Sequence, residues 1–312
     1  MSAAITRNLR SHFATSMLAQ ARDFGHPLFW RHPGLKLVFC LAALGIASGP
    51  VKADSFASPW SGSASDKAQM RLVAGTPHMP GGYVAAAQIK LAGQAITYWR
   101  SPGDAGVPPT FSFRGSENLD SAQVAYPAPQ RIDEQGLQAF GYRSGVTFPI
   151  AVKADDPAKP VRLRLTLDYA VCDNICLPAR SAAELVLPQS GASTNDNIIT
   201  EAEARVPIPL AKDDVAKEIV ITADPGATSL RWVLIWKGDG PAGDLFAEAP
   251  EGWDIETHRL ADGRFALVAV QQPLKALPPR VPVQFTLTGP RKSYVFTLGL
   301  DLPAQASTLG TK

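Results

Sequence analysis

Cysteine is scarce in this sequence: three occur in 312 residues, and no two are spaced as Cys-x-x-Cys. That absence removes the thioredoxin-type redox motif and the four-thiolate zinc sites. Histidine is nearly as rare, and beyond residue 53 only His78 and His258 remain, so a zinc centre would have to be built largely from carboxylates. Past residue 53 there is no lysine/arginine cluster, which gives no support to nucleic-acid or anionic-membrane binding. Past residue 47 no apolar run approaches the roughly 20 residues of a bilayer-spanning helix. A glycine-rich phosphate loop, a Ser/His/Asp set in a supporting motif and a paired acidic catalytic signature are also missing, which leaves hydrolase chemistry without a foothold.

What is present starts with a leader. Arg7, Arg10, Arg22, Arg31 and Lys36 precede an apolar run over residues 37–47, followed by small residues and Val51-Lys52-Ala53. This order predicts a secretory signal over residues 1–53, cleaved before Asp54, with export to the periplasm. Its apolar run is too short for a retained anchor. Cys40 lies inside that run and follows Phe39 rather than a small residue at its end, so it is expected to leave with the leader; Met17 is an alternative start. The leader holds six basic residues and one acidic, so removing its +5 turns the formal +2 of the whole chain into −3. The basic balance belongs to the leader.

The remaining residues are numerous enough for two domains, and 46% apolar composition is ample for buried cores. Residues 161–168, Val-Arg-Leu-Arg-Leu-Thr-Leu-Asp, alternate apolar and polar as a half-buried strand does. Similar runs occur at 84–91, 110–113, 146–152, 183–187, 219–222, 232–236, 265–270, 281–287 and 294–298, punctuated by Gly, Pro, Asp and Asn. No long amphipathic helix interrupts them. The pattern predicts an all-β fold of antiparallel sandwiches. The polar stretch 189–197 suggests a boundary, giving a first domain over 54–190, a linker over 191–206 with a short helical piece at 198–206, a second domain over 207–303 and a tail over 304–312. The first domain is expected to fold on its own.

Cys172 and Cys176 are the two cysteines left once the leader is set aside. Cys172 ends the alternating strand, and Asp173-Asn174-Ile175 reads as a turn before Cys176. Residues flanking a three-residue hairpin loop face each other at Cα separations of about 4.5–5.5 Å, inside the disulfide window. Four apart on one extended strand they would lie about 13 Å from each other and could not bond. Three readings of the pair stay open. A structural staple suits an oxidising compartment, although so short a loop removes little chain entropy. A reducible, reactive disulfide suits the tight turn. A Cu(I) site needs further ligands, for which His78-Met79 is a weak candidate.

Beyond the pair, Tyr98-Trp99-Arg100-Ser101-Pro102-Gly103-Asp104-Ala105-Gly106-Val107-Pro108-Pro109, Gly115-Ser116-Glu117-Asn118, Tyr126-Pro127-Ala128-Pro129, Gly141-Tyr142, and Asp168-Tyr169-Ala170-Val171-Cys172 with Ile175-Cys176-Leu177-Pro178-Ala179 occur in this order. Over about residues 70–190 the sequence resembles the periplasmic N-terminal region of DsbD-type protein-disulfide reductases, of the ScsB-like branch linked to copper tolerance; residues 200–302 resemble that branch's second β-domain less distinctively. The resemblance implies immunoglobulin-like sandwiches and a protein thiol–disulfide oxidoreductase without cofactor. It implies that Cys176 forms mixed disulfides and Cys172 resolves them. Electrons would come from a DsbD/CcdA-like membrane donor and pass to periplasmic thioredoxin-like thiol proteins, in the setting of cytochrome c assembly or copper tolerance. It implies a cap loop beginning at Asp133-Glu134, where Gln135 replaces the family's aromatic residue and Leu137 or Phe140 would take over the shielding. Tyr98 and Tyr169 would wall the pocket. The family's membrane segment and thioredoxin-like domain are not found in these 312 residues, so the donor is expected on another polypeptide. The competing expectation is a non-redox periplasmic binding module, for copper handling or assembly, with a structural disulfide. Two features have bland readings: the Pro-Gly-Asp-Ala-Gly-Val-Pro-Pro loop as a turn rather than a docking surface, and Trp232, Trp236 and Trp253 as core rather than a ligand groove.

Overall fold

The computed structural model describes residues 56–62, 67–104, 106–134, 136–224, 229–274 and 277–302. The leader, its cleavage point at Ala53, Ala105, Gln135 and the tail lie outside the described residues. Residues 68–186 form β1 (Ala68–Ala74), β2 (Gly82–Leu91), β3 (Ile96–Gly103), β4 (Thr110–Ser112), β5 (Leu119–Val124), β6 (Gln130–Glu134), β7 (Leu137–Arg143), β8 (Gly145–Ala154), β9 (Arg162–Cys172) and β10 (Cys176–Val186). Then follow α1 (Asp196–Glu203), β11 (Ile208–Pro209), α2 (Lys212–Glu218), β12 (Ile219–Ala223), β13 (Arg231–Trp236), β14 (Leu245–Glu248), β15 (Asp254–Arg259), β16 (Arg264–Gln271), β17 (Arg280–Leu287) and β18 (Tyr294–Asp301). The fold is all-β and immunoglobulin-like.

Two sheets make the first sandwich, one ordered β1-β2-β8-β5 and the other β10-β9-β3-β7-β6 with β4 beside β9. Alternation along β9 turns Leu163, Leu165, Leu167, Tyr169 and Val171 into the core between the sheets, with Trp99, Phe148 and Ile150. Near its end β9 is covered on its other face too. There Ala170 and Cys172 join Ile96, Tyr98, Ile132 and Ala139 in a separate small cluster on the outer side of the sheet. The second sandwich pairs β11-β18-β17-β14 with β12-β13-β16-β15. Trp232 and Trp236 are buried in its core and Trp253 packs against it, so the three tryptophans serve packing.

The polar stretch after β10 is docked on the first sandwich. Ser193 donates to the carbonyl of Ala74 (2.7 Å), Asn195 to that of Phe56 (3.2 Å), and Asp196 accepts from the Thr76 hydroxyl (2.6 Å) and amide (2.7 Å). Ile199 of α1 is buried against Val73 and Ala86. Short polar side chains here satisfy strand-edge backbone groups, a role that composition shares with a loose spacer.

Candidate active site: the cysteine hairpin

The β9–β10 hairpin runs in register from Arg162↔Val186 to Cys172↔Cys176. Asp173, Asn174 and Ile175 form its turn, and an ion pair between Asp173 and Lys67 ties the turn to the start of β1. Cys172 and Cys176 are disulfide-bonded, with Cα atoms 4.0 Å apart. That is closer than the about 4.5–5.5 Å expected for facing residues, since the covalent link draws the strand ends together. The two sulfurs differ in access: Cys172 is 1% exposed, whereas Cys176 begins an edge strand and is exposed.

Two side chains from other strands converge on the pair. The Tyr98 hydroxyl, on β3, lies 2.7 Å from Cys172 Sγ and 3.3 Å from Cys176 Sγ. Glu134, at the tip of β6, places Oε1 2.8 Å from Cys176 Sγ and accepts a hydrogen bond from Tyr98 to Oε2 at 2.8 Å. A disulfide sulfur carries no proton, so on reduction the Cys176 thiol can donate to Glu134 at this position. Burial first, then the hydrogen bond and charge of Glu134, push the Tyr98 phenol well above its ordinary value, and it remains a donor at any physiological pH.

Glu134 and Leu137 face each other as the last pair of the β6–β7 ladder. The pleat puts Ile132, Glu134, Leu137 and Ala139 on the disulfide side, and Arg131, Asp133, Gln138 and Phe140 on the other. Of the residues singled out from sequence, Tyr98, Glu134, Cys172 and Cys176 therefore meet. Leu137 shares their face, 51% exposed. Asp133 points to the opposite face, where it accepts from the Gly136 amide (3.2 Å) and shapes the turn. Phe140 also faces away and packs on Phe246 (4.9 Å). Tyr169 is not a pocket wall: it lies in the sandwich core, its hydroxyl 3.1 Å from Ser181 Oγ, because residues 169 and 172 fall on opposite sides of the pleat.

Sequence reasoning missed the use of the proline-glycine loop after β3. Gly106 lies against the ring of Tyr98 at φ +117°, so closely that a Cβ there would overlap the ring. The loop is tied to the β6–β7 hairpin by the Asp104 amide to the Gln138 carbonyl (2.9 Å). Its glycines, read as turn devices, were the available signal. Among the described residues, the ligand atoms of Glu134, Cys172 and Cys176 are the only three that lie within 4.8 Å of one another. His78 is not among them. A carboxylate is a hard third donor, poorly matched to Cu(I).

Residues 69–188 match the model of the N-terminal domain of the thiol:disulfide interchange protein DsbD. This stretch is a DsbD-like N-terminal domain. The N-terminal periplasmic domain of ScsB from Proteus mirabilis superposes with a TM-score of 0.62 at 21% identity, over 80% of this chain and 99% of that one, which extends the shared fold across both sandwiches. The C-terminal domain of the Streptococcus agalactiae AgI/II polypeptide BspA gives a TM-score of 0.14 at 9% identity, over 73% of this chain and 96% of that one, too low to bear on the fold. No match was found among curated proteins. A DsbD-like domain with its cysteine pair joined as a disulfide is the equipment of thiol–disulfide exchange. Among the described residues no helix is long and apolar enough to cross a membrane.

Proposed function

We propose that the protein is a periplasmic thiol–disulfide oxidoreductase that passes two electrons through Cys172/Cys176, from a DsbD/CcdA-like membrane donor to oxidised thioredoxin-like proteins. The observation that carries this reading is the asymmetry of the pair, one sulfur buried under Tyr98 and the other exposed beside Glu134. In the reduced state the Cys176 thiolate attacks one sulfur of the partner's disulfide, whose other sulfur leaves as a thiolate and takes up a proton. Cys172, deprotonated in turn, attacks Cys176 Sγ. The mixed disulfide breaks, the partner leaves as a dithiol, and the pair is oxidised; the donor then reduces it by the reverse sequence. The adjacent position of Cys172 makes the second step effectively unimolecular.

The surroundings suit a protein substrate. Ile175 and Leu177, which flank Cys176, are 72% and 57% exposed, and Leu137 and Val107, on the hairpin and loop that bracket Tyr98, are 51% and 58% exposed. Large apolar side chains exposed around a reactive sulfur mark a docking rim.

Cys172→Ala is expected to accumulate mixed disulfides with a thioredoxin-like partner on non-reducing gels, because the resolving thiol is gone, while Cys176→Ala traps far less. A structural staple would instead give two variants of similarly reduced stability and no captured partner.

A further inference from the structure

The second sandwich brings no cysteine, yet one of its strands is built into the first sandwich's core. Phe246 of β14 is fully buried in the first core cluster, edge-on to Phe140 (4.9 Å) and Trp99 (5.9 Å). Two residues to either side, Asp244 and Glu248 each hold an arginine of the first sandwich. Asp244 accepts from Arg131 Nε at 2.9 Å and Nη2 at 3.1 Å, and the same Nη2 reaches the Leu245 carbonyl (3.0 Å) and Thr257 Oγ1 (2.8 Å). Glu248 holds Arg100 by two bonds of 2.8 and 2.7 Å. Forked Arg–carboxylate pairs of this kind fix direction as well as distance.

What is held is the reverse side of the disulfide pocket. Arg131 and Phe140 lie on the back of the β6–β7 hairpin, whose front carries Glu134. Trp99 and Arg100 directly follow Tyr98 on β3 and enter the irregular segment where the β3–β7 register shifts. Strand β6 is the outermost strand of its sheet, so only β7 holds it from within the sheet, and an edge hairpin so placed is free to swing unless another element backs it. Here the backing is β14. Both groups that touch the sulfurs are thus carried on segments gripped from behind by Asp244, Phe246 and Glu248.

We propose that the second sandwich is a positioning element for the redox pair: β14 sets the reactivity of Cys176 by fixing Glu134 and Tyr98 against the sulfurs from the far side of their strands. The proposal rests on reading Cys176 as the reactive thiol. Its test uses the full protein, reduced chemically, with the rate of Cys176 alkylation followed against pH in a Cys172→Ala background. Asp244→Asn and Phe246→Ala, neither of which touches sulfur, should speed alkylation near neutral pH several-fold and move its pH midpoint in the same direction as Glu134→Gln. Phe246→Leu should restore most of the wild-type profile. In a Glu134→Gln background Asp244→Asn should add nothing, because the charge being positioned is already gone. Unchanged profiles, whatever the melting temperatures, would overturn the proposal and leave β14 a packing element; should Phe246→Ala fail to fold, Asp244→Asn, alone and in the Glu134→Gln background, decides. Chemical reduction and alkylation do not need a physiological partner, so failure to trap one would sink the exchange reading without touching this result.

Discussion

Glu134 places a carboxylate 2.8 Å from Cys176 Sγ, the sulfur on which the proposed exchange needs a thiolate. A like charge at that distance disfavours the thiolate, while Tyr98 spends its single proton on the carboxylate and offers the sulfur little relief. The carboxylate therefore works against a thiolate at Cys176. Glu134→Gln keeps the shape and removes the charge. In that variant alkylation of the reduced Cys176 should be faster near neutral pH than in the native protein, read from its pH dependence; an unchanged profile would show that the carboxylate does not govern the thiol. The cysteines were legible as a bridgeable pair from the turn between them, whereas Tyr98 and Glu134 were reachable only through family motifs. Nothing local in Tyr98-Trp99 says which of the two aromatics faces sulfur. Tyr169 was misplaced for a different reason: it continues the alternation of Leu163, Leu165 and Leu167 into the core, and three positions from Cys172 on one strand it lies on the opposite face.

At the scale of elements, the well-patterned strands β2, β8, β9, β13, β16 and β17 announced themselves by alternation or by apolar runs. The strands that bring Tyr98, Glu134 and Leu137 to the cysteines did not. β3 ends in Ser101-Pro102-Gly103, which reads as a turn, and β6 and β7 are short, with charged or small residues at half their positions. Their conformation is imposed by neighbours rather than by propensity. The loop after β3 shows how closely these parts are fitted. Gly106→Ala is expected to destabilise the protein by about 1–3 kcal/mol, from backbone strain at positive φ together with overlap on the Tyr98 ring. Gly136→Ala, also at positive φ but with open space around it, should cost only the strain. Urea denaturation of the two variants separates the contributions, and equal losses would show that the Tyr98 contact is slack.

For the whole molecule, composition and turn spacing were sufficient to indicate an all-β chain with two sandwiches, because each core is made of strands that alternate in the ordinary way. The junction was hidden. Arg100, Arg131, Asp244 and Glu248 look like solvated surface charges in the sequence, and a polar stretch precedes the second half; only the three-dimensional arrangement pairs them and buries Phe246 in the other sandwich's core. A first half expected to fold alone thus has its core completed by the second. The chemistry itself sits in the disulfide at the end of β9 and β10, and its reduction potential, taken by equilibrating the purified protein against glutathione and thioredoxin couples, decides whether that disulfide exchanges. An exchange protein requires a value among the thioredoxin-like couples, from about −270 to −120 mV, with full reduction by excess dithiol. A value well below about −300 mV, resistant to both couples, is that of a structural disulfide and would contradict the account.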